Sequence, residues 1–220
     1  MEHTGKHRII IVDDHPIVRQ GIAQLINRED DMCVCCEAGD ADAAMTRMKT
    51  CRHDIAIVDI SLTGVSGIEL IQMLRQRDYE LPVLVMSMHD ESLYAERALR
   101  AGARGYIMKQ EATEKILTAI RQIMQGDIYV SEKMRSRMLQ RLIDNRADAT
   151  DISPVANLSN RELEILRMIG QGFGTGEIAR ELKRSVKTVE AHRANIKDKL
   201  ALRTAAELVR FAVQWVENEK

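Results

Sequence analysis

An open α/β domain built on a parallel sheet, followed by a small all-α domain, is the fold that the sequence predicts. Three observations carry it. Short runs rich in Ile and Val alternate five times with stretches of helical periodicity between residues 8 and 126, the pattern of a doubly wound sheet. Beyond a polar stretch at residues 144–151 the strand signal stops, and four helices with clear start and stop signals follow. The charge divides in the same region: residues 1–152 carry 20 Lys and Arg against 24 Asp and Glu, whereas residues 153–220 carry 12 against 9.

Taken in order, Arg8-Ile9-Ile10-Ile11-Val12-Asp13-Asp14 reads as a buried strand ending in carboxylates. Pro16 suits a first helical turn, and Ile17, Val18, Gly21, Ile22, Leu25 and Ile26 recur at helical spacing behind it. Met32 to Glu37 reads as a short strand, and Asp40 can cap a helix that runs to Cys51. Asp54-Ile55-Ala56-Ile57-Val58-Asp59 is the strongest strand pattern, an unbroken apolar run expected of a strand covered on both faces. It ends in Asp59, and Ser61, Gly64 and Gly67 mark the loop after it. Ser66 opens a helix with Ile68, Leu70, Ile71 and Leu74 as its apolar positions. Pro82 to Ser87 is a fourth strand, a helix from about Glu91 to Arg100 stops at Gly102, and Gly105 to Lys109 is a fifth strand. A last helix is expected from about Thr113 to Gln125, ending at Gly126.

The strand order expected of this pattern is the flavodoxin-like 2-1-3-4-5. Right-handed crossovers bring the C-terminal ends of strands one, three, four and five to one edge. Asp13, Asp14, Asp59, Ser87 and Lys109 all fall there.

Residues 128–156 form a linker with a short amphipathic helix (Met134, Met138, Leu139, Leu142) and a mobile polar stretch. From 157 to 220 the punctuation is clear. Ser159 with Glu162 makes a capping box, Leu163, Ile165, Leu166 and Ile169 give an apolar stripe, and Gly172 stops the helix. Thr175 caps a second helix with Ile178, Ala179 and Leu182. Lys183-Arg184 turn the chain, and Ser185 caps a third helix from Val186 to about Leu200. Thr204 with Glu207 is a second capping box, opening a fourth helix to about Trp215. A short helix, a tight turn and a longer cationic helix make a helix-turn-helix. Gly170-Gln171-Gly172-Phe173-Gly174-Thr175-Gly176 follows a helix and lacks a Gly-Lys-Ser/Thr ending, so it reads as a helix stop, not a nucleotide loop.

Composition sets the outer bounds. The chain has 220 residues, 45% of them hydrophobic, enough for two small cored domains. No apolar run approaches the roughly 18–20 residues that span a bilayer, and Met1 to Arg8 is unlike a signal peptide, so a cytoplasmic protein without membrane contact is expected. Of Cys33, Cys35, Cys36 and Cys51, the first three lack the paired CxxC spacing of a zinc site; the four read as reduced, mostly buried thiols, with a redox sensor or a metal site as the alternative.

Three carboxylates at one sheet edge repel each other unless a hard cation sits among them. Mg2+ takes oxygen ligands and leaves positions for phosphate oxygens. A lysine there can pair with a phosphoryl oxygen, a serine can donate to another, and an aspartate can attack phosphorus to give an acyl phosphate.

Ile11-Val12-Asp13-Asp14-His15-Pro16, Asp59 with Gly67, Met86-Ser87-Met88-His89 and Gly105-Tyr106-Ile107-Met108-Lys109 resemble a response-regulator receiver domain. Leu158-Ser159-Asn160-Arg161-Glu162-Leu163-Glu164-Ile165-Leu166, with Thr188-Val189-Glu190-Ala191-His192-Arg193-Ala194-Asn195, is similar to a LuxR-type helix-turn-helix. Together they resemble the NarL/FixJ two-component regulators over nearly the whole chain, with a receiver at 1–127. The resemblance implies that Asp59 is the phosphoacceptor for a sensor histidine kinase. It implies that Asp13, Asp14 and Asp59 bind Mg2+, with the Ser61 backbone carbonyl as a further ligand. Ser87 and Lys109 would bind the phosphoryl group, and Tyr106 would be an aromatic switch that rotates inward when Ser87 moves; Tyr106 also reads as an ordinary core aromatic. Such a chain is no enzyme beyond catalysing its own aspartyl phosphotransfer and dephosphorylation. Thr63 and Gln110 stand where the family often has proline.

On the third tail helix, Val189, His192 and Ile196 share one face and, with Leu200, are expected to pack inward. Glu190, Ala191, Arg193, Ala194 and Lys197 lie on other faces and can meet base edges, while Lys187, Thr188 and Lys199 suit phosphates. Phosphorylation is expected to promote a homodimer that places two such domains on DNA. Leu208, Val209, Ala212, Val213 and Val216 are either a tail-tail interface or packing within the domain. Two other readings are a regulator that binds DNA without phosphorylation, its pocket vestigial, and a metal-dependent phosphohydrolase; the latter needs an acid-base carboxylate two residues after the nucleophile, where this chain has Ser61.

Overall fold

The computed structural model describes residues 5–77, 79–143, 154–182 and 184–217. The chain divides into two compact units, residues 1–145 and 146–220. The polar stretch at 144–151 and Lys183 of the expected turn lie outside the described residues.

The first unit alternates β1 (His7–Val12), α1 (Pro16–Ile26), β2 (Met32–Ala38), α2 (Ala41–Thr50), β3 (Ile55–Asp59), α3 (Gly67–Gln76), β4 (Val83–Ser87), α4 (Glu91–Ala101), β5 (Gly105–Met108) and α5 (Lys109–Met124), followed by α6 (Glu132–Ile143). The five strands form one sheet in the order β2-β1-β3-β4-β5, all parallel. This is the flavodoxin-like arrangement expected from the alternation. Helices cover both faces, so β3 and β4 are buried throughout, as is β1 from Ile9 onward. Ile9, Ile11, Ile55, Ile57, Leu84 and Met86 pack with Ile22 and Ile26 of α1 and Ile116 and Ile120 of α5. Val12, Val58 and Val85 are buried on the other face.

Caps set the helix entries. Asp40 accepts from the Ala43 amide at 2.7 Å, and Ser66 and Glu69 form a reciprocal capping box. Gly102 closes α4 in the left-handed conformation, φ 119°. Gly67 admits no side chain, because a Cβ there would lie 2.0 Å from the Asp59 carbonyl oxygen; α3 starts hard against the end of β3.

The structure corrects several expectations. The helix after β5 begins at Lys109, not Thr113, since Gln110 brings neither the ring nor the lost amide of a proline. Ile17 of the first apolar stripe is 84% exposed. At the start of the expected linker the Tyr129 amide donates to the Arg104 carbonyl at 3.0 Å, and the Tyr106 amide donates to the Tyr129 carbonyl at 2.8 Å. Val130 and Met134 are buried, whereas Leu139 is exposed.

The second unit opens with a 3-10 turn (Pro154–Asn157), then α7 (Asn160–Gly170), α8 (Thr175–Glu181), α9 (Val186–Lys199) and α10 (Ala205–Glu217). Ser159 and Glu162 form the expected capping box. Gly174, not Thr175, is the N-cap of α8; having no side chain, it caps through its backbone, its amide donating to Glu177 Oε2 at 2.7 Å and its carbonyl accepting from the Glu177 and Ile178 amides. α7 and α10 meet closely at Gly170, where a Cβ would lie 2.4 Å from the Ala212 carbonyl oxygen. Leu208 and Ala212 are buried within the unit.

Candidate functional site

The C-terminal ends of β1, β3, β4 and β5 meet at one edge, and the polar residues there converge. Asp13 and Asp59 are almost fully buried, and Asp14 is partly so. Lys109 Nζ lies 2.7 Å from Asp13 Oδ2 and 2.7 Å from Asp59 Oδ2. His15 Nδ1 lies 2.9 Å from Asp14 Oδ1 and 3.2 Å from Asp13 Oδ1. Arg19 Nη1 donates to the Asp13 carbonyl, which fixes the turn that presents both carboxylates. Burial pushes the Asp59 carboxyl above the ordinary carboxylate range against the pull of Lys109, and the neighbouring Asp13 charge pushes the same way. Burial alone would depress Lys109, but Asp59 and Asp13 outweigh it and hold the ammonium above its usual value.

These residues fit a divalent cation. Ligand oxygens of Asp13, Asp14 and Asp59, together with a ring nitrogen of His15, all lie within 4.8 Å of one another. Asp59 Oδ1 is buried with no hydrogen-bond partner. Asp13 Oδ2 and Asp14 Oδ1 make no well-directed hydrogen bond either, only the close approaches of Lys109 and His15. Buried carboxylate oxygens without donors are costly unless a cation answers them.

The loops add contacts that the sequence did not disclose. Thr63 Oγ1 donates to Asp14 Oδ2 at 2.7 Å, so the residue standing where proline is frequent positions a carboxylate. The Ser61 hydroxyl meets His89 Nε2 at 2.8 Å. His89, given no role beforehand, is a junction. Its amide donates to Ser87 Oγ at 3.1 Å, its carbonyl accepts from Tyr106 Oη at 2.8 Å, and its ring stacks on Tyr94 at 4.6 Å. Its only signal in the sequence was its place two residues after Ser87. The Tyr106 ring is already inward, 1% exposed, and burial raises its hydroxyl's pKa.

In the second unit, Val189 and Ile196 are fully buried, while His192 and Leu200 are half-buried. Lys187, Glu190, Ala191 and Ala194 are exposed on α9; Thr188, Arg193 and Lys197 are half-buried. Two expected contacts have partners inside the unit. Thr188 Oγ1 meets Ser185 Oγ at 2.8 Å. Lys199 Nζ donates to Glu162 Oε2 at 2.6 Å, tying the end of α9 to the start of α7. Burial works against the Glu162 charge, but Lys199 and the Ser159 amide outweigh it and hold the carboxyl below its ordinary value.

Residues 9–121 match the family model of the response regulator receiver domain, and residues 156–212 match that of bacterial regulatory proteins of the luxR family. The chain therefore belongs to the two-component response regulators of the NarL/FixJ family, and it is a DNA-binding transcription regulator. It is 37% identical over 210 residues to the oxygen regulatory protein NreC of Staphylococcus carnosus, covering 94% of this chain and 97% of that protein. Among solved structures it is similar to RcsB from Salmonella enterica serovar Typhimurium bound to promoter rprA in the presence of phosphomimetic BeF3-. That likeness has 25% identity, a TM-score of 0.60, and 95% and 99% of the two chains covered. It is also similar to a LuxR-family two-component response regulator from Aurantimonas sp. SI85-9A1, at 34% identity and TM-score 0.58, with 63% of this chain and 99% of that one covered. No helix among the described residues is long and apolar enough to cross a membrane.

Proposed function

We propose that Asp59 accepts a phosphoryl group from a sensor histidine kinase and that the acyl phosphate turns on DNA binding by the second unit. The observation that carries this is Asp59 itself, a buried carboxylate with one oxygen on Lys109 and the other without a partner. An Asp59 oxygen attacks phosphorus; a P–O bond forms, the P–N bond of the phosphohistidine breaks, and the imidazole leaves with the electron pair. Asp13, Asp14, Asp59 and the Ser61 carbonyl would hold Mg2+, which when bound offsets carboxylate charge and draws phosphoryl oxygens into place. Lys109 moves its hydrogen bond from Asp59 to a phosphoryl oxygen, and Ser87 donates to another. Ser87 Oγ then no longer accepts from His89, and the Tyr106 hydroxyl that holds the same loop responds.

The functional division we infer is a receiver at 1–127, a connecting segment at 128–156 and a DNA-reading domain at 157–220. Glu190, Ala191, Arg193, Ala194 and Lys197 face bases, Lys187 and Thr188 face phosphates, and two copies of the phosphorylated chain bind adjacent half-sites. Lys199 acts chiefly through Glu162. A phosphohydrolase reading finds no acid two residues past Asp59, where the Ser61 hydroxyl is engaged by His89.

The test is incubation with acetyl phosphate and Mg2+. Wild type is expected to gain the mass of one acid-labile phosphoryl group, to dimerise and to bind its operator more tightly; Asp59→Asn is expected to do none of these. An Asp59→Asn protein that binds DNA as phosphodonor-treated wild type does would make the pocket vestigial.

A further inference from the structure

We propose that the first unit carries a second metal site, for a thiophilic d10 cation of the zinc type, formed by Cys35, Cys36, Cys51 and His53. It lies at the opposite end of β3 from Asp59, outside the acidic pocket.

The geometry begins with a backbone irregularity. Ile9 pairs with Val34 and Ile10 with Cys36, so Cys35 is an extra residue in β2. Consecutive strand residues ordinarily point to opposite faces; a bulge re-aims one of them, and bulges between parallel strands are rare. Here the two neighbouring thiols converge. The sulfurs of Cys35 and Cys36 and a ring nitrogen of His53 all lie within 4.8 Å of one another. Cys51, at the end of α2, stands outside that 4.8 Å group but acts on the Cys36 thiol, and it is the fourth ligand of the proposed site. A tetrahedral zinc centre needs sulfurs about 3.8 Å apart, so the Cys51 side chain has to swing toward the other three to close it. All four cysteines are free thiols.

The chemistry of the donors points to a ligand. His53 Nε2 is buried with no hydrogen-bond partner, as expected of a nitrogen awaiting a Lewis acid. Burial, then the charge of Arg8, depress its pKa, which keeps the imidazole neutral and able to ligate. Cys51 is held below the ordinary thiol range by the neighbouring Cys36 and Thr50 side chains, whereas burial pushes Cys36 up to about 11. Three thiolates and a neutral imidazole around a dication leave one negative charge, and Arg8 and Arg47 act on these thiols with the opposite sign. Sequence spacing hid the site, because no CxxC pair is present; the bulge supplies the convergence that such spacing usually does.

The test is titration of the reduced full-length protein with Co2+, a spectroscopic stand-in for Zn2+. One equivalent is expected to give the intense charge-transfer and ligand-field bands of tetrahedral thiolate ligation, bleached by added Zn2+. Cys33→Ser, outside the four, and Asp59→Asn are expected to keep them. Cys36→Ser and Cys51→Ser are expected to lose most of the intensity, and His53→Gln to shift the band positions, with circular dichroism showing each variant folded. Wild-type bands in a Cys36→Ser, Cys51→Ser double variant would overturn the site. So would a wild type that shows only weak octahedral absorption, or one that forms a Cys36–Cys51 disulfide with peroxide yet binds no Co2+.

Discussion

Lys109 Nζ and Asp59 Oδ2 are 2.7 Å apart, with the carboxylate 1% exposed and the ammonium 9% exposed. The pair couples Asp59 to protons and to cations. Burial raises the Asp59 pKa, so the folded chain binds that proton more tightly than the unfolded one. The associated stability is fully present below the ordinary value of 3.8 and is lost as pH rises through the folded value. Asp59→Asn removes the buried charge. Without Mg2+ the variant is expected to be more stable than wild type by about 1 kcal/mol or more at neutral pH. The gap should shrink as pH falls toward the ordinary carboxylate range, and urea melts across pH check it.

Divalent cation should reverse that ranking. A ligand at a hundred times its Kd stabilises a protein by about 2.7 kcal/mol, so Mg2+ is expected to raise the wild-type Tm by several degrees. Asp13→Asn and Asp59→Asn should respond far less, and thermal melts over a Mg2+ series make the comparison.

Thr63→Val removes the hydroxyl that holds Asp14 while keeping the shape of the side chain. Outer-shell partners of metal ligands are worth about 10–100-fold in affinity. A rise of about tenfold in the Mg2+ Kd is expected, with little change in stability, as read by calorimetry.

Lys187 and Lys199 should separate under salt. Each phosphate contact contributes about 0.9 to the slope of log K against log salt. Lys187→Ala is expected to lower the slope by about that amount. Lys199, engaged by Glu162, is expected to leave the slope unchanged and to lower the Tm of the second unit instead. Filter binding at several salt concentrations, with parallel melts, decides it.

Ala201 holds φ at 54°, the only positive value at a non-glycine among the described residues, just after α9 ends. Left-handed backbone costs an L-residue roughly 1–2 kcal/mol. Ala201→Gly is expected to stabilise the second unit by about 1 kcal/mol, part of the gain being lost to the freer unfolded chain. Chemical denaturation measures it.

Much of this was legible in the sequence because local signals and burial agree. Ile55 to Asp59 is apolar because both faces of β3 are covered, and Asp40, Ser66 and Ser159 cap the helices that their positions announce. Where tertiary contacts decide, the sequence is silent. Nothing at Tyr129 marks a residue that pairs with β5, and nothing at Lys199 separates a phosphate contact from a partner for Glu162. Cys35 and Cys36 look like alternating strand residues until the pairing with β1 is known. Ile17 fits the periodicity of α1 yet is exposed, because periodicity gives the width of a stripe but not its edge.

Tyr129 bears on how copies of this protein can meet. β5 is one of the two edge strands, and such margins ordinarily recruit a foreign strand. Here Tyr129 occupies both the Arg104 carbonyl and the Tyr106 amide, so that flank has no vacant peptide groups at those positions. A strand added at those positions would first have to displace Tyr129 from the margin of the sheet.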